Sequence, residues 1–181
     1  NLVKAEFNKL DYNECGGYCD YQANFTDATL AEADLSYADF AFVDLTGATI
    51  LYAVLNYANF EYADLTGVNF FQSFLNSVDF HGADLVDAYF AWCVLIDADF
   101  RNADLTNATF RLAELNGASF YSADLTGANF SSADLTDASV RWTDLTDANF
   151  DGAVVTGANF HGSTWSNTRW IDGNIYNTNQ A

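Results

Sequence analysis

Residues 121–150 read YSADLTGANFSSADLTDASVRWTDLTDANF, in which a large apolar residue recurs at every fifth position. The period extends outward from this stretch to Phe25 and Ile175, and the large residue is always Leu, Phe, Ile, Val or Trp. Two positions before this centre, Ala occupies 22 of the 31 pentapeptides, and the other nine residues are small or compact. Neither position ever carries a charge, so the pattern indicates one continuous core.

This spacing excludes a helix and favours short extended segments. Five residues turn an α-helix by about 500°, which would scatter the centres around its axis. In an extended segment, residues two apart point the same way, so Ala and Leu of Ala-Asp-Leu face inward while Asp faces outward. The next Ala follows three residues later, so every pentapeptide must contain a bend. Each pentapeptide is therefore predicted to form one short side of a coil.

The number of sides follows from the alternation of Leu and Phe centres between Leu55 and Leu135. Stacking like on like requires an even number of sides, and four bends of about 90° close a square. We therefore predict an all-β quadrilateral solenoid with four pentapeptides per 20-residue coil, about 7.75 coils and roughly 37 Å in length. Its opposite faces should carry two phenylalanine ladders, Phe70, Phe90, Phe110, Phe130 and Phe150 on one and Phe40, Phe60, Phe80, Phe100 and Phe120 on the other.

A solenoid exposes its core and its strand edges at both ends, so each end needs a cap. Residues 1–20 fall out of register and are predicted to form an N-terminal cap before the solenoid of residues 21–175. Trp165 and Trp170 enlarge the last centres and are expected to cover the final coil. Residues 176–181 are assigned to a C-terminal tail.

Units such as Ala123-Asp124-Leu125-Thr126-Gly127 resemble the pentapeptide-repeat family, and the resemblance extends over the whole solenoid. It implies a right-handed β-helix. It also implies two kinds of function, because several members are DNA mimics that bind type II topoisomerase, whereas many others have no assigned activity. Projecting loops and an apolar dimerising terminal segment, which are features of the gyrase-binding members, are not found in this sequence.

The charge restricts the partners of this surface. The formal net charge is −19, from 25 acidic and 6 basic residues, and neither Lys nor Arg occurs between Lys9 and Arg101. Such a surface repels nucleic acid directly and favours basic proteins or cations. No run of about 18 apolar residues predicts a membrane span. The sequence does not begin with Met and has no signal segment, so we expect a mature form from which any signal has been removed.

Cys15 and Cys19 flank two glycines, a spacing that allows a disulfide. Two free thiols, or part of a metal site, are the alternatives. A cysteine pair just before the first repeat also resembles exported members of the family. We therefore expect a periplasm-like or thylakoid-lumen-like location, with the cytoplasm as the alternative. Cys93 occupies an inward position and is predicted to be a buried, inert thiol.

Nothing in the pattern predicts an enzyme. Catalysis requires a nucleophile, a base or a metal ion converging in a concavity, and a square prism with a filled interior has none. His81 and His161 lie on the same face, four coils or about 19 Å apart, and are interpreted as solvated surface residues. We expect no catalytic residues, no bound cofactor and no metal site built from them.

Two sets of outward residues are candidates for function. The acidic row lies just before Leu centres and consists of Asp44, Asp64, Asp84, Asp104, Asp124 and Asp144. Its members could hydrogen-bond the local backbone and threonines, or form a phosphate-like stripe or a weak Ca²⁺ site. The apolar corner consists of Leu51, Tyr52, Val54, Phe71, Phe74, Trp92, Val94 and Leu112, with Ile96 beside it. It is predicted to be a partner site, a self-association surface or a surface that the N-terminal cap covers.

These observations together predict a non-enzymatic binding or structural scaffold that presents a rigid acidic surface to a protein partner or to another copy of itself. The alternative is a DNA-mimic inhibitor of a type II topoisomerase, gyrase, in the cytoplasm.

Overall fold

The structure, a computed structural model, describes residues 23–177. The N-terminal cap predicted for residues 1–20, the predicted pair Cys15 and Cys19, and residues 178–181 of the tail lie outside the described residues.

The pentapeptides wind into coils that stack in parallel. Each of the parallel bridges joins two residues that are 20 apart, from Asn24 with Asp44 to Asn149 with Arg169. The backbone hydrogen bonds follow the same period, as when the N–H of Leu65 donates to the carbonyl of Asp84 at 2.7 Å. Four pentapeptides therefore complete one coil, which agrees with the period deduced from the alternating Leu and Phe centres.

The sides of the coil are shorter than ordinary strands. Only one residue of each pentapeptide forms a bridge, because the next bend begins directly after the centre. The bend is a four-residue turn, closed for example by the N–H of Ala108, which donates to the carbonyl of Leu105 at 2.9 Å. Within residues 23–177, the two-residue strands are β1 (Thr168–Arg169) and β2 (Ile175–Tyr176), which pair antiparallel.

The second residue after each centre adopts a positive φ. At these corner positions, from Asp27 to Asn167, 21 non-glycine residues and eight glycines have φ between 52° and 79°. Even aromatic residues adopt this left-handed conformation, including Tyr52 at 56° and Trp92 at 62°. The φ pattern, with a positive value at the third residue of the turn, is that of a type II turn. The stacked coils therefore impose a conformation that isolated L-residues disfavour.

The core consists of the inward centres and the small residues two positions before them, nearly all of which are buried. The two phenylalanine ladders form as predicted, with consecutive rings such as Phe100 and Phe120 stacked at a centroid distance of 4.9 Å. The ladders also meet in the middle of the prism, where Phe110 and Phe120 pack edge to face at 5.8 Å. Aromatic pairs prefer both arrangements, so the interior is filled as well as apolar.

The C-terminal end is closed by tryptophans and a hairpin. Trp165 and Trp170 are buried, with ring centroids 4.9 Å apart, and both contact Phe160. The fivefold series continues in sequence to Ile175, but the parallel ladder ends at Arg169. Ile175 pairs with Arg169 in the antiparallel hairpin and remains 46% exposed. The last centre of the sequence pattern is therefore part of the closing hairpin and does not enter the core.

Candidate interaction surface

The solenoid has four faces, which we number by their centres. Face 1 has Leu45 to Leu145, face 2 has Phe70 to Phe150, face 3 has Leu35 to Leu135, and face 4 has Phe40 to Phe120. The acidic row lies on face 1. The apolar corner lies where face 2 meets face 3.

The apolar corner is assembled as the sequence period predicts. Val54 bridges Phe74, and Phe74 bridges Val94, so these three residues form one column on face 3. Tyr52, Phe74 and Trp92 are 50%, 49% and 50% exposed, respectively. The remaining members of the corner, Leu51, Val54, Phe71, Val94 and Leu112, are partly buried. The structure thus brings all eight residues to one side of three or four successive coils.

The aromatic members of the corner contact one another. The ring of Phe71 packs edge-on against Tyr52 at 5.9 Å and lies 6.2 Å from the ring of Tyr89. Tyr89 is exposed and occupies the bridge position of face 2, but the sequence analysis did not assign it to this surface. Its position three residues before Trp92, at the start of the same corner, is the signal that could have identified it.

The apolar column replaces a set of turn hydrogen bonds. At many bridge positions, Asp or Asn accepts the N–H two residues on, as Asp64 does from Thr66 at 3.1 Å. Val54, Phe74 and Val94 cannot accept this bond. Asparagines of the preceding coil supply two of the missing hydrogen bonds. Asn56 accepts the N–H of Asn76 at 2.9 Å, and Asn76 accepts the N–H of Ile96 at 3.2 Å. The column therefore gives up the acceptors within its own turns, and two of those N–H groups are bonded by the neighbouring coil instead.

Exposed aromatics continue across face 3 to its other edge. Tyr37 and Tyr57 occupy the corner between faces 3 and 4, and their rings stack at 5.0 Å. Phe42 and Tyr62 form a second exposed stack at the next corner, at 5.4 Å. None of these four residues was predicted from the sequence to belong to a site, because the predicted apolar surface was limited to one corner.

The acidic row is one column of face 1, in which each aspartate bridges the next. Each carboxylate accepts the backbone N–H two residues further on, at 2.9–3.2 Å, and Asp104 also accepts the Thr106 hydroxyl. The N–H of Thr46 lowers the pKa of Asp44 in this way. These carboxylates therefore stabilise their own turns, whatever else they bind.

Both histidines belong to a duplicated packing arrangement. His81 packs edge-on against Tyr62 at 5.6 Å, and His161 packs against Trp142 in the same way at 5.5 Å. The following residue is glycine in both cases, and a Cβ at Gly162 would lie 2.6 Å from the Trp142 ring. The aromatic residue of one coil thus lies over the glycine of the next coil. His81 is less solvated than the sequence suggested, because its Nδ1 is buried.

Potential metal ligands do not cluster in the described part of the chain. Among residues 23–177, no cluster of three His, Cys, Asp or Glu side chains could hold a metal ion. Cys93 is buried and donates its thiol hydrogen to the carbonyl of Phe70 at 2.9 Å, and burial raises its pKa to about 12. In the same residues, no helix is long and apolar enough to cross a membrane.

Comparison with known proteins identifies the family. The family model for pentapeptide repeats matches in eight copies, over residues 23–54, 52–72, 73–111 and 113–152. The chain therefore belongs to the pentapeptide-repeat family, as the repeat units suggested. No protein among the curated sequences matches it.

Several solved pentapeptide-repeat structures are similar to this chain. HetL, a protein involved in heterocyst differentiation regulation in the cyanobacterium Nostoc sp. strain PCC 7120, is 31% identical over 86% of this chain and 76% of its own, with a TM-score of 0.46. QnrB1, a plasmid-mediated fluoroquinolone resistance protein, is 27% identical over 82% and 75%, with a TM-score of 0.43. A protein from the Arabidopsis thaliana thylakoid lumen is 34% identical over 59% and 70%, with a TM-score of 0.35.

Proposed function

We propose that this chain is a non-enzymatic scaffold that binds a protein partner through the apolar corner. The observation that carries the proposal is the half-exposed state of Tyr52, Phe74 and Trp92 above a core that is already complete. The buried core forms without these side chains, and exposed apolar groups lower solubility. Clustered exposed aromatics on a soluble protein are typical of an interaction site.

The test removes the two most prominent side chains of the corner in the variant Phe74→Glu with Trp92→Ser. We expect its unfolding midpoint to stay within a few degrees of the original, while capture of a partner from the native compartment is lost. Trp142→Ser is the matched control, because Trp142 occupies a corner in the other half and is 52% exposed. Undiminished capture by the double variant would refute the proposal, and a large loss of stability would assign these residues a structural role.

A DNA-mimic inhibitor of gyrase is the second candidate function. The acidic row supports it, because the carboxylates repeat regularly along one face. We nevertheless expect no inhibition of DNA supercoiling at micromolar protein, since each carboxylate already accepts a turn hydrogen bond. Strong inhibition that disappears when Asp64, Asp84 and Asp104 become Asn would replace the first proposal. Changing Asp87, Asp97 and Asp137 to Asn is the control with the same change in net charge.

We further propose an exported location, on the basis of the sequence argument from Cys15 and Cys19. Alkylation of the native protein without reductant should label no cysteine, and subsequent denaturation should expose Cys93 alone. The raised pKa of Cys93 and its burial both protect this thiol in the folded state. Mass spectrometry that finds all three cysteines labelled would remove the argument for export.

A further inference from the structure

The column at the centre of face 3 has acidic ends. Asp34 precedes Val54 in the series of bridges, and Glu114 and Asp134 follow Val94. Glu32, at the adjoining corner, adds a second carboxylate near the Asp34 end. An apolar centre with negative charge at both ends matches a partner segment that is apolar in the middle and basic at its ends.

The backbone of this face cannot pair with an added strand. The N–H of Phe74 donates to the carbonyl of Ala53 at 2.9 Å, and the N–H of Leu75 donates to that of Val94 at 2.7 Å. The bonds on either side repeat this arrangement from coil to coil. Since the main-chain groups of the column are used between coils, a bound segment must contact the face through side chains. An α-helix satisfies its backbone internally, whereas an added β-strand would find no backbone partner on this face.

The dimensions of the face also suit a helix. From Asp34 to Glu114 the column spans four coil spacings, or about 19 Å at the usual distance between strands. A helix rises about 1.5 Å per residue, so about 13 residues cover this length. Across the face, Tyr52 and Trp92 form one edge, and the stacked Tyr37 and Tyr57 form the other. Tyr52 and Tyr57 are five residues apart, and the three residues of the side between the two turns, 53–55, span about 10 Å, close to the diameter of a helix.

The negative charge of the chain favours a basic partner over a second copy of the chain. Residues 23–100 contain twelve acidic residues and neither Lys nor Arg. The 181 residues carry a formal charge of −19, so bringing the same face of two copies together would place like charges opposite each other. A basic segment has no such repulsion and is attracted from a distance.

We propose that the segment bound by this surface is a basic amphipathic helix of about 13 residues that lies along face 3, parallel to the axis of the solenoid. This inference rests on the proposed function and specifies its partner. The apolar side of the helix covers Val54, Phe74 and Val94, and its Lys or Arg residues lie near Asp34 and Glu114.

The test uses synthetic peptides and the full chain. The probe is a fluorescein-labelled helical peptide of about 13 residues with Leu and Phe along the middle of one side and Lys at the other positions, including both ends. One comparison peptide has Glu in place of Lys, and a second has the composition of the probe but a scrambled order. In fluorescence anisotropy we expect the probe to bind at least about tenfold more tightly than either comparison peptide, and to weaken as salt is added.

Two sets of variants separate the contributions of the apolar and the acidic residues to binding of the probe. Phe74→Glu with Trp92→Ser should weaken binding of the probe by about tenfold or more, and Trp142→Ser should leave it unchanged. Phe74→Thr with Trp92→Asn provides a milder pair, since Thr49 and Asn107 occupy equivalent positions in other coils. Asp34→Asn with Glu114→Gln should weaken binding about threefold, whereas Asp124→Asn with Asp144→Asn, which changes the charge equally, should not.

Each other outcome overturns a defined part of the inference. Equal binding of the acidic peptide, abolished by the Phe74 and Trp92 variants, would refute the basic partner and leave the proposed function intact. If the basic peptide bound and neither double variant at Phe74 and Trp92 weakened its binding, both the basic helical partner and the proposed function would be refuted. A dimer in sedimentation experiments that these variants dissociate would assign the surface to a second copy of the chain.

Discussion

The two halves of the solenoid have the same interior and different exteriors. In residues 23–100 and in residues 101–177, phenylalanines stack at about the same distance, 5.2 Å for Phe60 and Phe80 and 4.9 Å for Phe110 and Phe130. On the outside, the first half exposes eight large aromatic residues, which are Tyr37, Phe42, Tyr52, Tyr57, Tyr62, Phe74, Tyr89 and Trp92. The second half exposes two, Tyr121 and Trp142. The first half has twelve acidic and no basic residues, and the second has nine acidic residues and four arginines.

This difference shows which residues the fold needs. The second half forms the same coils with Asp, Thr, Asn, Ser and Gly at most outward positions, so the aromatics of the first half are not required for coiling. Two of them, Phe74 and Tyr89, also occupy bridge positions at which Asp or Asn accepts a turn hydrogen bond in other coils. Their concentration in one acidic half is therefore better explained by binding than by stability.

The largest expected effect tests whether the two interiors are equivalent. Ala58 and Ala108 occupy matching inward positions in the two halves and are buried. Ala58→Asp and Ala108→Asp would each bury an unpaired charge, and we expect each to lower the free energy of unfolding by about 4 kcal/mol or more. Urea unfolding followed by circular dichroism measures this loss. Asn107→Asp, on the surface, should change little, and a mild effect of Ala58→Asp alone would show that the halves differ inside.

An intermediate effect is expected where an aromatic of one coil lies over a glycine of the next. Gly162→Ala would place a Cβ 2.6 Å from the ring of Trp142, whereas Gly67→Ala meets nothing within 4 Å. Both positions have positive φ, so both variants carry the left-handed cost of about 1 kcal/mol. The collision should add about 1 kcal/mol for Gly162→Ala only.

Gly82, beneath Tyr62, is the matching position in the first half. In thermal unfolding, Gly82→Ala should lose about as much stability as Gly162→Ala. Adding Tyr62→Ala to Gly82→Ala should restore much of the stability that Gly82→Ala loses. Equal stability of Gly67→Ala and Gly162→Ala would argue against this packing.

The smallest expected effect concerns single carboxylates, one in each half. The backbone N–H of Thr46 lowers the pKa of Asp44, and the hydroxyl of Thr136 lowers that of Asp134. A folded pKa below the unfolded value of about 3.9 stabilises the fold above that pH, and this contribution is lost as the pH falls through the folded pKa. Because both groups are largely solvated, we expect less than about 1 kcal/mol each.

Asp44→Asn and Asp134→Asn keep an oxygen acceptor but remove the titration. Their unfolding free energies should approach that of the original chain as the pH falls from 5 to 2. Parallel curves for the variants and the original chain over this range would contradict the assignment.

Most of the fold follows from the order of residues, because its interactions repeat at a fixed separation. Five-residue spacing places Ala108 and Phe110 inside, and the alternation of Leu and Phe sets the coil at four sides. Once the coil has 20 residues, Val54, Phe74 and Val94 must share a column, as must the acidic row. The sequence alone therefore determined the interior and the residues that each column contains.

Only the tertiary structure decided how neighbouring columns and successive coils meet. The edge-to-face contact of the two phenylalanine ladders, the position of Trp142 over Gly162 and the exposed edge formed by Tyr37 and Tyr57 depend on side-chain directions that no spacing specifies. The end of the parallel ladder at Arg169 is a further case, because Ile175 satisfies the fivefold pattern but pairs antiparallel in the hairpin. Periodicity assigns a residue to a side, whereas the contacts on that side depend on packing between residues about 20 positions apart.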